Sequence, residues 1–201
     1  MRLYNVQNQH GSLIFHVLVS RWCYPRFAFP DSVFLKNENL DADGGVIGCQ
    51  NTGISFNLFN IVVTTSDQSA AQGWGGSGTT TADNSTTDGA ANTTKIVAAL
   101  RSTGTTFAAR TCNELSVTGG FTSGWFLPSG SVANSQLNCL YNNRAAIATG
   151  SVAAVGAGFA SANYWSSTEA SSTNAWRLLF TLGNLSSSKS SSYRVRCSRA
   201  F

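Results

Sequence analysis

The stretch Asn-Tyr-Trp-Ser-Ser-Thr-Glu at 163–169 is followed by Ala-Trp-Arg-Leu-Leu-Phe at 175–180, Ser-Ser-Ser-Lys-Ser-Ser-Ser at 186–192 and Tyr-Arg-Val-Arg-Cys-Ser-Arg-Ala-Phe at 193–201. Large rings able to anchor a core stand here between small polar residues suited to a surface. Trp176, Leu178 and Phe180 alternate with Arg177, Leu179 and Thr181, and Tyr193, Val195 and Cys197 alternate with Arg194, Arg196 and Ser198. A period of two is that of half-buried β-strands. The pattern predicts two such strands joined through 182–185 and the serine run, with Trp165, Trp176, Phe180 and Tyr193 packed inside.

Working outward, the apolar runs Gly-Gly-Val-Ile-Gly-Cys at 44–49 and Leu-Phe-Asn-Ile-Val-Val-Thr at 58–64 are separated by Gly and Asn and read as paired strands. Residues 73–89 are too rich in turn formers for regular structure and are expected to form a long surface loop. Asn92 or Thr93 is the expected cap of a helix carrying Ile96, Val97 and Leu100 and ending before Gly104. A short helix is expected over 107–115. Residues 125–128 read as an extended segment halted by Pro128, and 135–147 as a helix burying Leu137, Leu140 and Tyr141. Gly150–Gly158 reads as a flexible connection. Strands, helices and then a meander of strands make an α+β domain: antiparallel strands with two helices set apart from them, and first and last strands able to pair.

The chain has 201 residues, enough for one domain with a sizeable core. Residues 1–40 differ in texture and read as an N-terminal arm or targeting remnant, with 41–201 as the domain. The apolar segment 12–20 has the length of a signal-peptide core, but Arg21, Trp22 and Cys23 follow it instead of a small-residue cleavage site. Only 11% of residues are charged, against roughly 25% in ordinary soluble domains. Solubility therefore falls to hydroxyls and amides. The net charge of +4 is scattered, with no basic stripe of the kind that binds nucleic acid. No apolar run reaches the roughly 18 residues of a membrane-spanning helix.

The cysteines, Cys23, Cys49, Cys112, Cys139 and Cys197, are too far apart to suggest a zinc or iron–sulfur site. Cys49, Cys112, Cys139 and Cys197 fall within the domain and are disulfide candidates. The pairing Cys49–Cys197 with Cys112–Cys139 is expected because it would tie the first strand to the last; buried, reduced thiols are the alternative. Catalysis lacks parts: His10 and His16 lie outside the domain, and Asp83, Asp88, Glu114 and Glu169 are widely separated. No metal or cofactor is expected, save that Asp83 and Asp88 lie in a Gly/Thr loop able to contribute to a calcium site, at lower acidic density than usual. Glu169 is expected to accept hydrogen bonds from a loop backbone or to pair with an Arg of the last strand.

Several motifs recur in one order: Gly-Gly-Val-Ile at 44–47, Ser-Asp-Gln-Ser at 66–69, Trp-Gly at 74–75, Asp-Gly-Ala-Ala-Asn-Thr at 88–93 and Cys-Asn at 112–113. Trp-Phe-Leu-Pro at 125–128, Gln-Leu-Asn-Cys-Leu-Tyr at 136–141, Tyr-Trp-Ser-Ser-Thr-Glu at 164–169, Ala-Trp at 175–176 and the closing Arg-Val-Arg-Cys and Arg-Ala-Phe follow. Over about 44–201 this order resembles the C-terminal domain of Legionella collagen-like proteins, a family similar to the variable proteins of diversity-generating retroelements. The resemblance implies a C-type-lectin-like fold, export to the cell surface or medium, binding of glycans or protein receptors, and trimers in the collagen-like members. The chain has no Gly-X-Y tract, and formylglycine-generating enzymes, which share the fold, use a neighbouring cysteine pair absent here.

The expected binding face is what alternates outward. It comprises Ser171, Ser172, Thr173 and Asn174 in a loop, then Arg177, Leu179 and Thr181, then Asn184, the serines at 186–188 and 190–192 (Ser186, Ser188, Ser190 and Ser192 foremost) and Lys189. Hydroxyls and amides supply adaptable hydrogen bonds, Arg177 a planar donor and Leu179 apolar area. A host or environmental glycan, including a sulfated one held by Arg177 and Lys189, is the expected ligand. A retroelement-diversified domain with a protein ligand, and a structural domain for assembly, are the other readings. Retroelement mutagenesis acts on adenines and turns Asn codons into Ser, Thr or Tyr, which suits these polar positions.

Overall fold

In a computed structural model the described residues are 6–7, 13–14, 45–49, 59–82, 84–118, 120–148 and 158–201. The chain divides into two compact units, Met1–Leu35 and Lys36–Phe201. In the first, β1 (Val6–Gln7) and β2 (Leu13–Ile14) pair antiparallel, Val6 opposite Ile14. Cys23, His10, His16 and the apolar segment 12–20, apart from Leu13 and Ile14, lie outside the described residues, as do Asp83 and most of the expected connection at 150–158.

The second unit is α+β, and its described residues form two sheets. The first places β4 (Ile61–Thr64) between β3 (Gly45–Cys49) and β10 (Ser198–Ala200), all antiparallel. All four β4 residues are buried, as befits a mainly β-branched run covered on both faces. The last strand thus pairs with β4 and not with the first strand of the domain, contrary to the expected pairing of first and last. The second sheet runs β5 (Ser69–Gly73), β9 (Ser192–Val195), β6 (Asn163–Glu169), β7 (Asn174–Leu179), β8 (Gly183–Ser188), with only β6 and β9 parallel.

β6 is the spine of this sheet, because successive side chains leave a strand on opposite faces. Tyr164 enters a core with Val46, Ile61, Leu137, Leu140, Leu178 and Phe180; Trp165 enters another with Trp74, Ile96, Leu100, Phe107, Trp125 and Val195. Ser166, Ser167 and Thr168, of the small polar type expected on the surface, are buried instead. Each is hydrogen-bonded, as burial of a hydroxyl requires: Ser166 Oγ donates to the Trp176 carbonyl at 2.9 Å, Thr168 Oγ1 donates to the Ser85 carbonyl at 2.9 Å, and Ser167 Oγ accepts from Asn92 Nδ2 at 3.4 Å.

The first helix, α1 (Gly89–Leu100), starts earlier than expected: Asp88 is its cap, accepting the Ala91 N–H at 2.9 Å, while Asn92 and Thr93 lie buried inside it. Their side chains face other segments: Asn92 Oδ1 accepts the Ser85 N–H at 3.2 Å and Thr93 Oγ1 accepts the Leu127 N–H at 3.0 Å. A 3₁₀ turn over Arg101–Thr103 ends at left-handed Gly104, as read from the sequence. α2 (Ala108–Asn113) falls in the expected place. The expected helix over 135–147 is two, α3 (Gln136–Asn142), capped by Ser135, and α4 (Arg144–Ala148). Asn143 breaks it, with its Nδ2 donating to the Gly48 carbonyl at 3.1 Å. The helices therefore exceed the two expected.

The disulfides are Cys49–Cys139 and Cys112–Cys197, with Cα separations of 6.3 and 5.3 Å, not the expected Cys49–Cys197 and Cys112–Cys139. Cys49 ends β3, against which α3 packs, so Cys139 is its neighbour. Cys197 shares the Trp165 core with Cys112 of α2. Likewise the 74–88 segment is a loop but not wholly a surface one: Trp74 is fully buried, its Nε1 donating to the Ser166 carbonyl at 2.8 Å.

Candidate functional site

The alternation at 176–181 holds in part. Leu178 and Phe180 are buried and Thr181 is exposed, but Trp176 is half-exposed and does not join either core. The register between β6 and β7 slips after the Trp165–Arg177 pair, so that Glu169 faces Ala175, and Ala175 takes the buried place near Trp165. Arg196 and Ser198, expected outward, are buried. β9 stops at Val195 and the chain crosses to the other sheet. There Asp67 collects Arg194 at 2.7 Å, Arg196 at 2.8 Å and the Tyr164 hydroxyl at 3.1 Å. The Asp67 carboxylate raises the Arg194 pKa, while burial pushes the Tyr164 phenol up.

Lys189 is the largest correction to the expected binding face. Its side chain is 0% exposed, its Nζ lies 2.5 Å from Glu169 and 2.8 Å from the Thr79 carbonyl, and it sits over the Trp74 ring at 4.5 Å. Glu169 also accepts from the Thr81 and Ala82 N–H groups at 3.0 and 3.1 Å, which makes the loop-backbone role expected of it real, with lysine in place of arginine as the cation. Burial pushes the Glu169 carboxyl up, but the Lys189 and Thr81 hydrogen bonds outweigh it and leave it below its ordinary range. This pair clamps the 74–88 loop and is unavailable to a ligand.

Residues paired across antiparallel strands share a face, and the β7–β8 register sorts the remaining candidates. Arg177 opposes Leu185 and Trp165, Leu179 opposes Gly183 and Asn163, and Ala175 opposes Ser187. Asn163, Arg177, Leu179, Leu185 and Ser187 therefore lie on one face, toward Tyr193, whose ring meets Trp165 at 4.7 Å. Asn174, Asn184, Ser186 and Ser188 lie on the other face with Trp176, so the expected set is split in two. Asn184 points to α3, its Nδ2 donating to Asn138 Oδ1 at 3.4 Å. Ser171, Ser172 and Thr173 form the β6–β7 turn, in which Ser171 Oγ accepts the Asn174 N–H at 3.0 Å. Ser190 is exposed in the turn before β9, and Ser192 is exposed as the first residue of β9.

On the first face Arg177 is fixed from three sides. Its Nε donates to Ser187 Oγ at 2.7 Å, its Nη1 donates to Asn163 Oδ1, and its guanidinium lies 5.1 Å from the Tyr193 ring centre. Ser187 Oγ and the Tyr193 hydroxyl are 3.2 Å apart, and this hydrogen bond, against burial and with help from Ser191 and Arg177, lowers the Tyr193 phenol. Leu185 is 42% and Leu182 81% exposed at the same hairpin. A rigid guanidinium beside a hydroxyl pair and exposed leucines can recognise a ligand by hydrogen bonds and apolar contact together. The sequence reading found Arg177 and Leu179 here but missed Asn163, Leu185 and the outward hydroxyl of Tyr193. Period-two alternation would have placed Asn163 and Leu185 beside Arg177 had the serine run been recognised as a strand.

Among the described residues no group of three His, Cys, Asp or Glu could hold a metal, and the Asp88 carboxylate is engaged in capping α1. No described helix is long and apolar enough to cross a membrane. No protein-family model matches the chain, and none of the curated proteins compared with it matches.

Proposed function

We propose that residues 41–201 form a C-type-lectin-like recognition module, secreted or held at a cell surface, that binds a host or environmental glycan or a protein receptor through the β7–β8 hairpin. The observation that carries this reading is the half-exposed face on which Arg177, held by Asn163 and Ser187 above Tyr193, stands beside Leu179 and exposed Leu185. Immobilised polar and aromatic groups give up little entropy when a ligand docks. Two disulfides accord with an oxidising compartment. A retroelement-diversified module is favoured by a different observation: Ser186, Ser188, Ser190 and Ser192 are exposed on or beside strands held by backbone pairing, where side chains can be exchanged without loss of the sheet.

The test is a combined array of glycans and surface proteins, probed with the full chain and with an Arg177→Ala/Leu179→Ala variant of equal thermal stability. Specific binding to the parent and its loss in the variant are expected. Binding that survives the double substitution would move the site off this face, and a stable oligomer burying 171–192 with no other partner would favour assembly instead.

A further inference from the structure

The two disulfides sit in unlike places. Cys112 and Cys197 are fully buried in the Trp165 core, and Thr64 holds Cys197 from both sides, its N–H donating to the Cys197 carbonyl at 2.9 Å and its Oγ1 accepting the Cys197 N–H at 3.3 Å. A thiolate reaches that bridge only if the junction of the two sheets comes apart. Cys49 ends β3, an edge strand of its sheet, and Cys139 lies on α3, a helix of seven residues, where it keeps 5% exposure. Displacing one short helix gives access there. Asn143 adds a chemical feature: its Nδ2 lies 3.6 Å from Cys139 Sγ and 3.8 Å from Cys49 Sγ, so an amide donor faces both sulfurs. A donor so placed stabilises the thiolate expelled when the bridge is attacked, and a more stable thiolate leaves faster. The same helix reaches the hairpin, because Asn138 Oδ1 accepts from Asn184 Nδ2 of β8 at 3.4 Å. It also reaches the start of α1, where Gln136 Oε1 accepts the Gly89 N–H at 3.0 Å.

We infer that Cys49–Cys139 is a redox latch: a dithiol reductant opens it in the folded protein, and its opening loosens α3 and, through Asn138 and Asn184, strand β8. One thiolate of the dithiol attacks Cys139 Sγ, the bond between the two cysteines breaks, and Cys49 leaves as a thiolate. The second thiolate of the dithiol then attacks the mixed disulfide and expels Cys139. The dithiol ends as its own disulfide, and the two protons it gives up end on Cys49 and Cys139. Cys112–Cys197 stays closed, so the junction between the sheets and the Trp165 core persist while α3 is freed. With the bridge open, α3 keeps one side-chain tie to β3, the Asn143 Nδ2 bond to the Gly48 carbonyl. The effect of the latch on ligand binding rests on the recognition role proposed above; the selective opening does not.

The test is to incubate the full chain with dithiothreitol in the absence of denaturant, alkylate free thiols at intervals and map the labelled cysteines by mass spectrometry. Cys49 and Cys139 are expected to be labelled roughly tenfold or more faster than Cys112 and Cys197. In the singly reduced protein the amides of α3 and β8 should exchange hydrogen faster and those of β4 should not, with protection restored on reoxidation. Opening of both bridges at one rate, opening of Cys112–Cys197 first, no opening short of denaturant, or selective opening that leaves β8 exchange unmoved would overturn the inference. Cys49→Ser/Cys139→Ser should show the fast β8 exchange with no reductant present. If that variant does not fold, the labelling order in the parent still decides. An array ligand of the oxidised protein is expected to bind the singly reduced form more weakly. Absence of any array ligand counts against the recognition role alone, and labelling and exchange then judge the latch.

Discussion

Replacing Lys189 with methionine keeps an unbranched side chain, one atom shorter, but deletes the charge that faces Glu169 and lies over the Trp74 ring. The lysine is fully buried and the Glu169 side chain is 6% exposed, so the carboxylate left behind has little access to water. Breaking one partner of such a pair costs about 3–5 kcal/mol, a large share of the roughly 5–15 kcal/mol that holds a domain together. For a chain of this size that corresponds to a fall in melting temperature of about 10 °C. The deficit should also depend on pH. In the parent, Glu169 has a depressed pKa, so its contribution is full above the unfolded glutamate value of about 4.3 and is lost as pH falls through the lower folded value. In Lys189→Met burial is no longer outweighed by the lysine, the carboxyl pKa rises, and protonation relieves the buried charge. Urea denaturation at neutral pH and near pH 4 should therefore show the gap between parent and variant narrowing on acidification. The double variant Lys189→Met/Glu169→Gln should recover much of the loss. A variant within about 1 kcal/mol of the parent at neutral pH, or a gap that widens in acid, would refute the reasoning.

Non-reducing peptide mapping should recover Cys49 linked to Cys139 and Cys112 linked to Cys197, and Cys112→Ala/Cys197→Ala, which opens a loop of sequence separation 85, should lose about 4 kcal/mol in denaturation. Gly89→Ala should destabilise by about 2–3 kcal/mol, because its Cβ would stand 2.4 Å from Gln136 Oε1 and 2.6 Å from the Leu127 carbonyl; Ala99→Gly, exposed on the same helix, should cost about 1 kcal/mol or less. In a spectrophotometric titration of phenolate absorbance, Tyr193 should ionise early and Tyr164 late; Ser187→Ala should push the early transition to higher pH, and an unmoved early transition would count against the hydroxyl pair.

The elements legible in the sequence are those whose signal is local. The paired strands at 45–49 and 61–64 follow from apolar runs, and the end of the first helix follows from Gly104. What escaped depends on contacts between distant residues. Ser166, Ser167 and Thr168 look like surface residues until Pro128, Ser85 and Asn92 are brought to them. Gly183–Ser188 has almost no strand-forming side chains and is a strand because β7 offers it a ladder. The same non-locality misled the site. Lys189 lies in a run of serines that reads as solvent-exposed, and only the fold of the 74–88 loop over it reveals that it is a buried cation paired with Glu169. Arg177 and Leu179 were legible because alternation on a half-buried strand is a local property; the split of the serines between two faces was not.

The most direct test of the central claim is to titrate the strongest array ligand into isotope-labelled full-length protein and to map the amide shifts. The account predicts perturbations clustered at Asn163, Arg177, Leu179, Leu185, Ser187 and Tyr193. Shifts confined to Trp176, Ser186 and Ser188 on the opposite face would contradict it.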